Sequence, residues 1–379
     1  MKDKISNANF PMDAEGRVYH VGVKSGEVSN RLITVGDPAR LHRFKAFLDA
    51  EPVPFEKTSA RGYTVVTGRY RGVPVSLVAI GMGVAMVDFF VREVRAVTTG
   101  ELAIIRFGSC GSLLPTLRVG SLGVPEKAVQ INTNYDYFHG GSNSTAKGSR
   151  PYLVSKPIET DEGLRGALLA SLEKSVASPT CTVTNLPLHA SADCFYSSQG
   201  RLDPAFADHN ETLIDELLQQ YPECASLEME SAHLLHLAAI AAPLSLPSSA
   251  PSAAVAAEEA TQTYSPANPP PASALTMAKE DSKSASPSIR AAVVHMVFAA
   301  RRPSPSPSSS SSSSAAVVPP PTDLPSEAPP PPDEEPQADF IDPAAVARLE
   351  PLVGRACLDA LVGWSVKGEM EERGTVWAL

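Results

Sequence analysis

Cysteine is scarce in this sequence: Cys110, Cys181, Cys194, Cys224 and Cys357 are the five present in 379 residues. Their odd number, uneven spacing and lack of any CxxC argue against a disulfide framework and for free thiols in a reducing compartment. No run of lysine and arginine occurs, and the formal net charge is −10, which argues against a nucleic-acid-binding surface. The opening residues, Met1-Lys2-Asp3-Lys4-Ile5-Ser6-Asn7, are polar and lack the apolar core of a secretory signal. Long hydrophobic runs are missing too. The longest, around Leu234 to Leu246, contains His236 and Pro243 and falls short of the roughly 20 residues that cross a bilayer. These absences together predict a cytoplasmic protein with neither membrane nor nucleic acid as a partner.

Proline is abundant instead. Of the 35 prolines, most of the excess lies in two tracts rich in Pro, Ser and Ala, at about 242–288 and 303–337. Such tracts bury too little apolar area to offset the entropy of ordering them, so both read as disordered insertions. What remains is a single domain over 1–379, interrupted twice and large enough for a substantial core. A second reading is that neither tract belongs to the mature protein; intact mass decides between the two.

Along the chain, Leu32-Ile33-Thr34-Val35 reads as a strand that runs into Gly36-Asp37-Pro38 and a helix starting near Pro38. That arrangement aims backbone N–H groups at a place where an anion can sit, with Arg40 beside them. Tyr63–Tyr70 and Val73–Ile80 read as two strands, followed by Gly81-Met82-Gly83, where the backbone can approach a ligand before a helix from about Met86 to Thr98. Leu102-Ala103-Ile104-Ile105 is a continuous apolar strand of the kind buried in a largely parallel sheet, and Arg106 follows at its expected end. A buried arginine is costly without an opposite charge, which marks it as a ligand contact. Further strands are expected at Ser121–Val124, Ala128–Ile131, Cys181–Thr184 and Ile289–Phe298. Helices are expected at Glu162–Ser175, Glu211–Gln220 and about Pro343–Val362, the last with Asp342 as N-cap. Strands alternating with helices argue for an α/β fold with a mixed sheet.

The stretch Glu228-Met229-Glu230 sets two carboxylates and a thioether at the mouth of a helix expected to be amphipathic. Two acids spaced this way can lie on one side while Met229 offers an apolar surface to a sugar ring. Its company sharpens that reading. Val35-Gly36-Asp37-Pro38-Ala39-Arg40, Ile105-Arg106-Phe107-Gly108-Ser109-Cys110-Gly111 and Ser191-Ala192-Asp193-Cys194-Phe195-Tyr196-Ser197-Ser198-Gln199-Gly200-Arg201 precede it in order. With them, the chain resembles the nucleoside phosphorylase family of the type that includes uridine phosphorylases, from about Val18 to Phe298 and again near Phe340.

The resemblance implies an α/β domain with a central mixed, partly barrel-like β-sheet flanked by helices. It also implies phosphorolysis of a nucleoside, with inorganic phosphate as co-substrate and no cofactor; no metal is expected, because Gly62 stands where bacterial relatives carry an acid for a monovalent cation. Gly36, Arg40, Arg61, Arg106 and Ser109 would hold the phosphate. His20, Met229, Glu230 and Glu228 would hold the ribose, Glu228 from a more indirect position. Phe195, Gln199 and Arg201 would hold the base, and Arg301 would close the site from a loop; Glu230, Arg106 and Arg301 carry the catalysis. His20 and Arg61 correspond to residues lent to a neighbouring subunit, so a homo-oligomer, a dimer or trimer of dimers, is expected. Glutamine offers a donor and an acceptor together, matching one edge of uracil, and no aspartate directly follows Val294–Arg301, as it does in purine-specific relatives. Uridine is therefore the expected substrate, with deoxyuridine or thymidine as further candidates. The sequence departs from the family after Gly83, at Cys110, where threonine is common, and at Gly62, where relatives carry an acid for a monovalent cation. Two other functions stay open: a purine nucleoside phosphorylase or nucleosidase, and a non-catalytic nucleoside-binding protein.

Overall fold

In this computed structural model the described residues are 7–139, 149–178, 181–244, 288–301 and 340–379. Most of both proline-rich tracts lies outside them. The strands are β1 (Arg31–Val35), β2 (Phe55–Thr58), β3 (Thr64–Tyr70), β4 (Val73–Ala79), β5 (Leu102–Ser112), β6 (Leu122–Pro125), β7 (Lys127–Thr133), β8 (Tyr152–Val154), β9 (Ile158–Glu159), β10 (Val183–Leu186), β11 (Leu188–Ala192), β12 (Cys224–Glu228) and β13 (Ile289–Ala300). The helices are α1 (Pro38–Lys45), α2 (Val84–Val97), α3 (Tyr135–His139), α4 (Glu162–Ser175), α5 (Leu213–Gln220), α6 (Ser231–Ile240) and α7 (Pro343–Val362). Helix starts follow cap chemistry. Asp37 accepts the Ala39 N–H at 2.8 Å ahead of Pro38, and Asp342 accepts the Ala344 N–H at 2.9 Å ahead of Pro343.

All these strands join one mixed sheet in the order β2-β3-β4-β1-β5-β12-β11-β7-β8, with β13, β6 and β10 branching from β5 and β9 pairing β7. The branch point is β5, which pairs in parallel with β1 and with β13, and in antiparallel with β12 at Gly111–Ser112. Residues of β1 and β5 alternate between two cores. Ile33, Ile105 and Phe107 pack with Leu41, Phe44, Leu168 and Val353 of α1, α4 and α7. Leu32 and Ile104 pack with Phe90, Val94, Leu234 and Leu235 of α2 and α6. The sheet therefore has helices on both faces, and a side chain's parity along β5 decides which helices it meets.

Several boundaries differ from expectation. β5 does not end at Ile105: pairing with the twelve-residue β13 carries it to Ser112, so Arg106 sits in mid-strand. β10 starts at Val183 because its register is set against Leu122–Pro125. His20 lies in a turn, and α5 starts at Leu213. α6 buries most of its first two turns rather than one stripe, because it packs on α2 and on β7, β9, β11 and β13. No helix among the described residues is long and apolar enough to cross a membrane, and all five cysteines are unpaired.

Candidate functional site

Loops at the C-terminal ends of parallel strands are where open α/β sheets place ligands. Here Gly36 follows β1, Gly81–Gly83 follow β4, Asp193–Arg201 follow β11, and Glu228–Glu230 end β12. The loops after β1 and β4 touch: the Gly81 N–H donates to Gly36 O at 3.1 Å, and a Cβ on Gly36 would stand 3.2 Å from Gly81 O. Gly83 has φ +100° and caps α2, and its N–H donates to Glu230 Oε1.

Glu230, Arg106 and Glu228 form a buried charged centre. Arg106 donates through Nη2 to Glu230 Oε2, and its Nε lies 3.4 Å from Glu228 Oε2. Its Nε and Nη1 have no hydrogen-bond partner although both are buried. Nε still faces the Glu228 carboxylate, so among the described residues Nη1 is the buried guanidinium donor left without a partner, a costly state that favours an acceptor supplied from outside the chain. Glu230 is also nearly enclosed. Burial pushes its carboxyl up to about 7, with Arg106 opposing that shift and the charge of Glu228 adding to it.

Glu228 is committed to the protein itself. It accepts the N–H groups of Glu230 at 2.9 Å and Ser231 at 3.0 Å, the Ser191 hydroxyl, and His189 Nε2 at 3.0 Å. A carboxylate at the start of α6 also suits the helix dipole. Although burial alone would raise it, bonding from His189 and His295 holds Glu228 well below the usual carboxylate range. His295 stacks on His189 with ring centroids 4.3 Å apart and bonds Ser231 Oγ through Nε2 at 2.9 Å. Burial, then the neighbouring His189, lowers His295 to about 4, so it is neutral near pH 7. Ligand atoms of His189, Glu228 and His295 lie within 4.8 Å of one another, the spacing of a metal cage. A cation there would compete with four donors and face the Arg106 guanidinium, so the set works as a hydrogen-bond network.

Arg40 reaches β5 from the opposite face. Its Nη2 donates to Ser109 Oγ at 3.0 Å and its Nε to Glu350 Oε1 of α7 at 2.8 Å, while its guanidinium lies 4.7 Å from the Phe107 ring centroid. Burial lowers its proton affinity, Glu350 opposes that shift, and the nearby Arg106 charge adds to it. Two arginines approaching from opposite faces thus concentrate positive charge beside β5.

A second group surrounds the turn after β11. Arg301, just past β13, donates from Nη2 to Gln199 O at 2.9 Å, with Nη1 3.5 Å from Gln199 Oε1. Burial, and then Arg201 nearby, lowers Arg301 to about 10. Arg201 lies 4.0 Å over the Phe195 ring and donates to Phe195 O at 3.1 Å. Phe195 and Met229 line one cavity of about 770 Å3 together with Met86, Phe89, Asp193 and His233. A neighbouring cavity of about 340 Å3 shares Met86 and Phe89 and is lined by His20, Arg61 and Tyr63. His20 stacks on Phe89 at 3.8 Å and bonds Glu93 of its own chain through Nδ1 at 2.6 Å; Arg61 bonds the Tyr19 hydroxyl at 2.6 Å.

The structure thus assembles the expected residues into three linked clusters: Arg40 with Ser109, Arg106 with Glu228 and Glu230, and Gln199 with Arg201, Phe195 and Arg301. His20 and Arg61 form a separate pair across Met86 and Phe89. Sequence reasoning missed His189, Ser191, Ser231 and His295 beneath Glu228, and Glu350 behind Arg40. A signal existed only for the last, a lone acid on the apolar face of α7.

Residues 30–245 match the model of the phosphorylase superfamily, and the chain belongs to that family. It is 30% identical over 244 residues to a uridine phosphorylase of Thermococcus kodakarensis, covering 63% of this chain and 78% of that one. It is 35% identical over 182 residues to a DeoD-type purine nucleoside phosphorylase of Geobacillus kaustophilus, covering 48% of this chain and 68% of that one. A solved uridine phosphorylase of the oomycete Phytophthora capsici superposes with TM-score 0.69 at 29% identity, covering 96% of this chain and 100% of that one. A nucleoside phosphorylase of Trypanosoma brucei shares the fold, with TM-score 0.59 at 17% identity over 94% of this chain and 100% of that one.

Proposed function

We propose that this protein is a uridine phosphorylase. The observation that carries the reading is the buried Arg106, tied to Glu230 and facing Glu228, with Nη1 left as a buried donor without a partner among the described residues. An oxyanion at that donor would stand between a second arginine, Arg40, and a carboxylate suited to sugar hydroxyls. A phosphate oxygen would attack the anomeric carbon as the bond to the base nitrogen breaks, its electron pair leaving with the base. The sugar passes through an oxocarbenium-like state, which the Glu230 carboxylate favours electrostatically while orienting the ribose. Phe195 offers a face for stacking, and Gln199, Arg201 and Arg301 offer the donors and acceptor for a pyrimidine edge and for charge developing on it.

A second reading, purine nucleoside phosphorolysis, is favoured by the relatives named for it. One assay separates the two: uridine and inosine, each with and without phosphate. Phosphate-dependent uracil release with little hypoxanthine supports the proposal. Faster inosine cleavage supports the alternative, and cleavage independent of phosphate excludes both.

A further inference from the structure

We infer that Glu350 of α7 is a positioning residue for the anion site, acting through Arg40. This inference rests on Arg40 being a phosphate ligand. Glu350 is 2% exposed and lies on the face of α7 that packs against α1. Its two oxygens divide between two arginines of α1: Oε1 accepts from Arg40 Nε at 2.8 Å, and Oε2 accepts from Arg43 Nη1.

The geometry gives Glu350 an orienting task beyond neutralising charge. A guanidinium has donors on three edges, and the edge turned to a ligand depends on which others are held. Glu350 holds the Nε edge of Arg40. Phe107 fixes the plane from one side at 4.7 Å, with Phe298 at 5.9 Å. Nη1 reaches Phe107 O at 3.4 Å, and with Nε held by Glu350 the Nη2 edge is turned to Ser109 Oγ at 3.0 Å, in the strand that carries Arg106. Arg43 stands at the outer side of the same carboxylate, its side chain 43% exposed, and keeps Glu350 from rotating toward the site. A negative charge behind Arg40 weakens anion attraction, so the gain is one of direction: the fork is held in place before the anion arrives.

The test is a set of variants in the full chain, each assayed for phosphate KM, uridine KM and Tm. Glu350→Gln should raise phosphate KM about tenfold or more while uridine KM stays within about twofold. In the double variant Arg40→Ala/Glu350→Gln, phosphate KM should equal that of Arg40→Ala alone, since a residue acting only through Arg40 has nothing left to do. If Glu350→Gln fails to fold, Glu350→Asp keeps the charge but shortens its reach, and should raise phosphate KM with Tm nearly unchanged. An unchanged phosphate KM in the folded variant, equal rises in both KM values, or multiplying effects in the double variant would overturn the inference. Failure of the underlying reading looks different: Arg40→Ala itself would leave phosphate KM untouched.

Discussion

At the scale of single residues, Glu230 is the group whose environment differs most from water in a way that chemistry would use. Its carboxyl releases its proton near 7, against about 4.3 in an unfolded chain, so the native state holds the additional proton between those values. Stability contributed by that proton is present below the lower value and is lost as pH rises toward 7. On the proposed mechanism activity should run the other way, because only the carboxylate would accept from two sugar hydroxyls. We therefore expect kcat/KM for uridine to rise with pH through about 7 while the Tm contribution falls. Glu230→Gln should flatten both profiles and lower kcat/KM by about a hundredfold or more. A Gln variant that keeps the wild-type pH profile would remove Glu230 from the reaction.

At the scale of elements, β5 sets the geometry: alternate residues face opposite helical layers, and its glycines leave room where side chains cross. A Cβ on Gly111 would come 2.7 Å from Arg301 Cγ. Gly111→Ala should displace Arg301 from Gln199 and raise uridine KM, by up to about a hundredfold, while phosphate KM changes little. Steady-state kinetics with each substrate varied in turn checks the split. Much of this layer was legible beforehand. Asp37-Pro38 and Asp342-Pro343 announced two helix starts, because caps are local chemistry. The motif around Arg106 announced a charged site residue but not its place in mid-strand, because strand length depends on β13, nearly two hundred positions later. His189 and His295 were not legible. Each is one histidine in an apolar strand, and only the stacking of the two rings across the fold gives the pair its shared carboxylate.

At the scale of the whole molecule, His20 and Arg61 are the residues the single chain leaves on a face of their own, beside the cavity lined by Met86 and Phe89. If they complete a neighbour's site, activity per chain should fall on dilution in step with dissociation. Sedimentation coupled to the uridine assay checks this, and a fully active monomer would exclude sharing. The forked sheet has a wider consequence. Gly36, Arg40, Arg106 and Ser109 hang from β1, α1 and the middle of β5, whereas Gln199, Arg201 and Arg301 hang from β11 and the tail of β13. On the proposed function, nucleobase choice would therefore be editable on one branch while the grip on the oxyanion stays with the other.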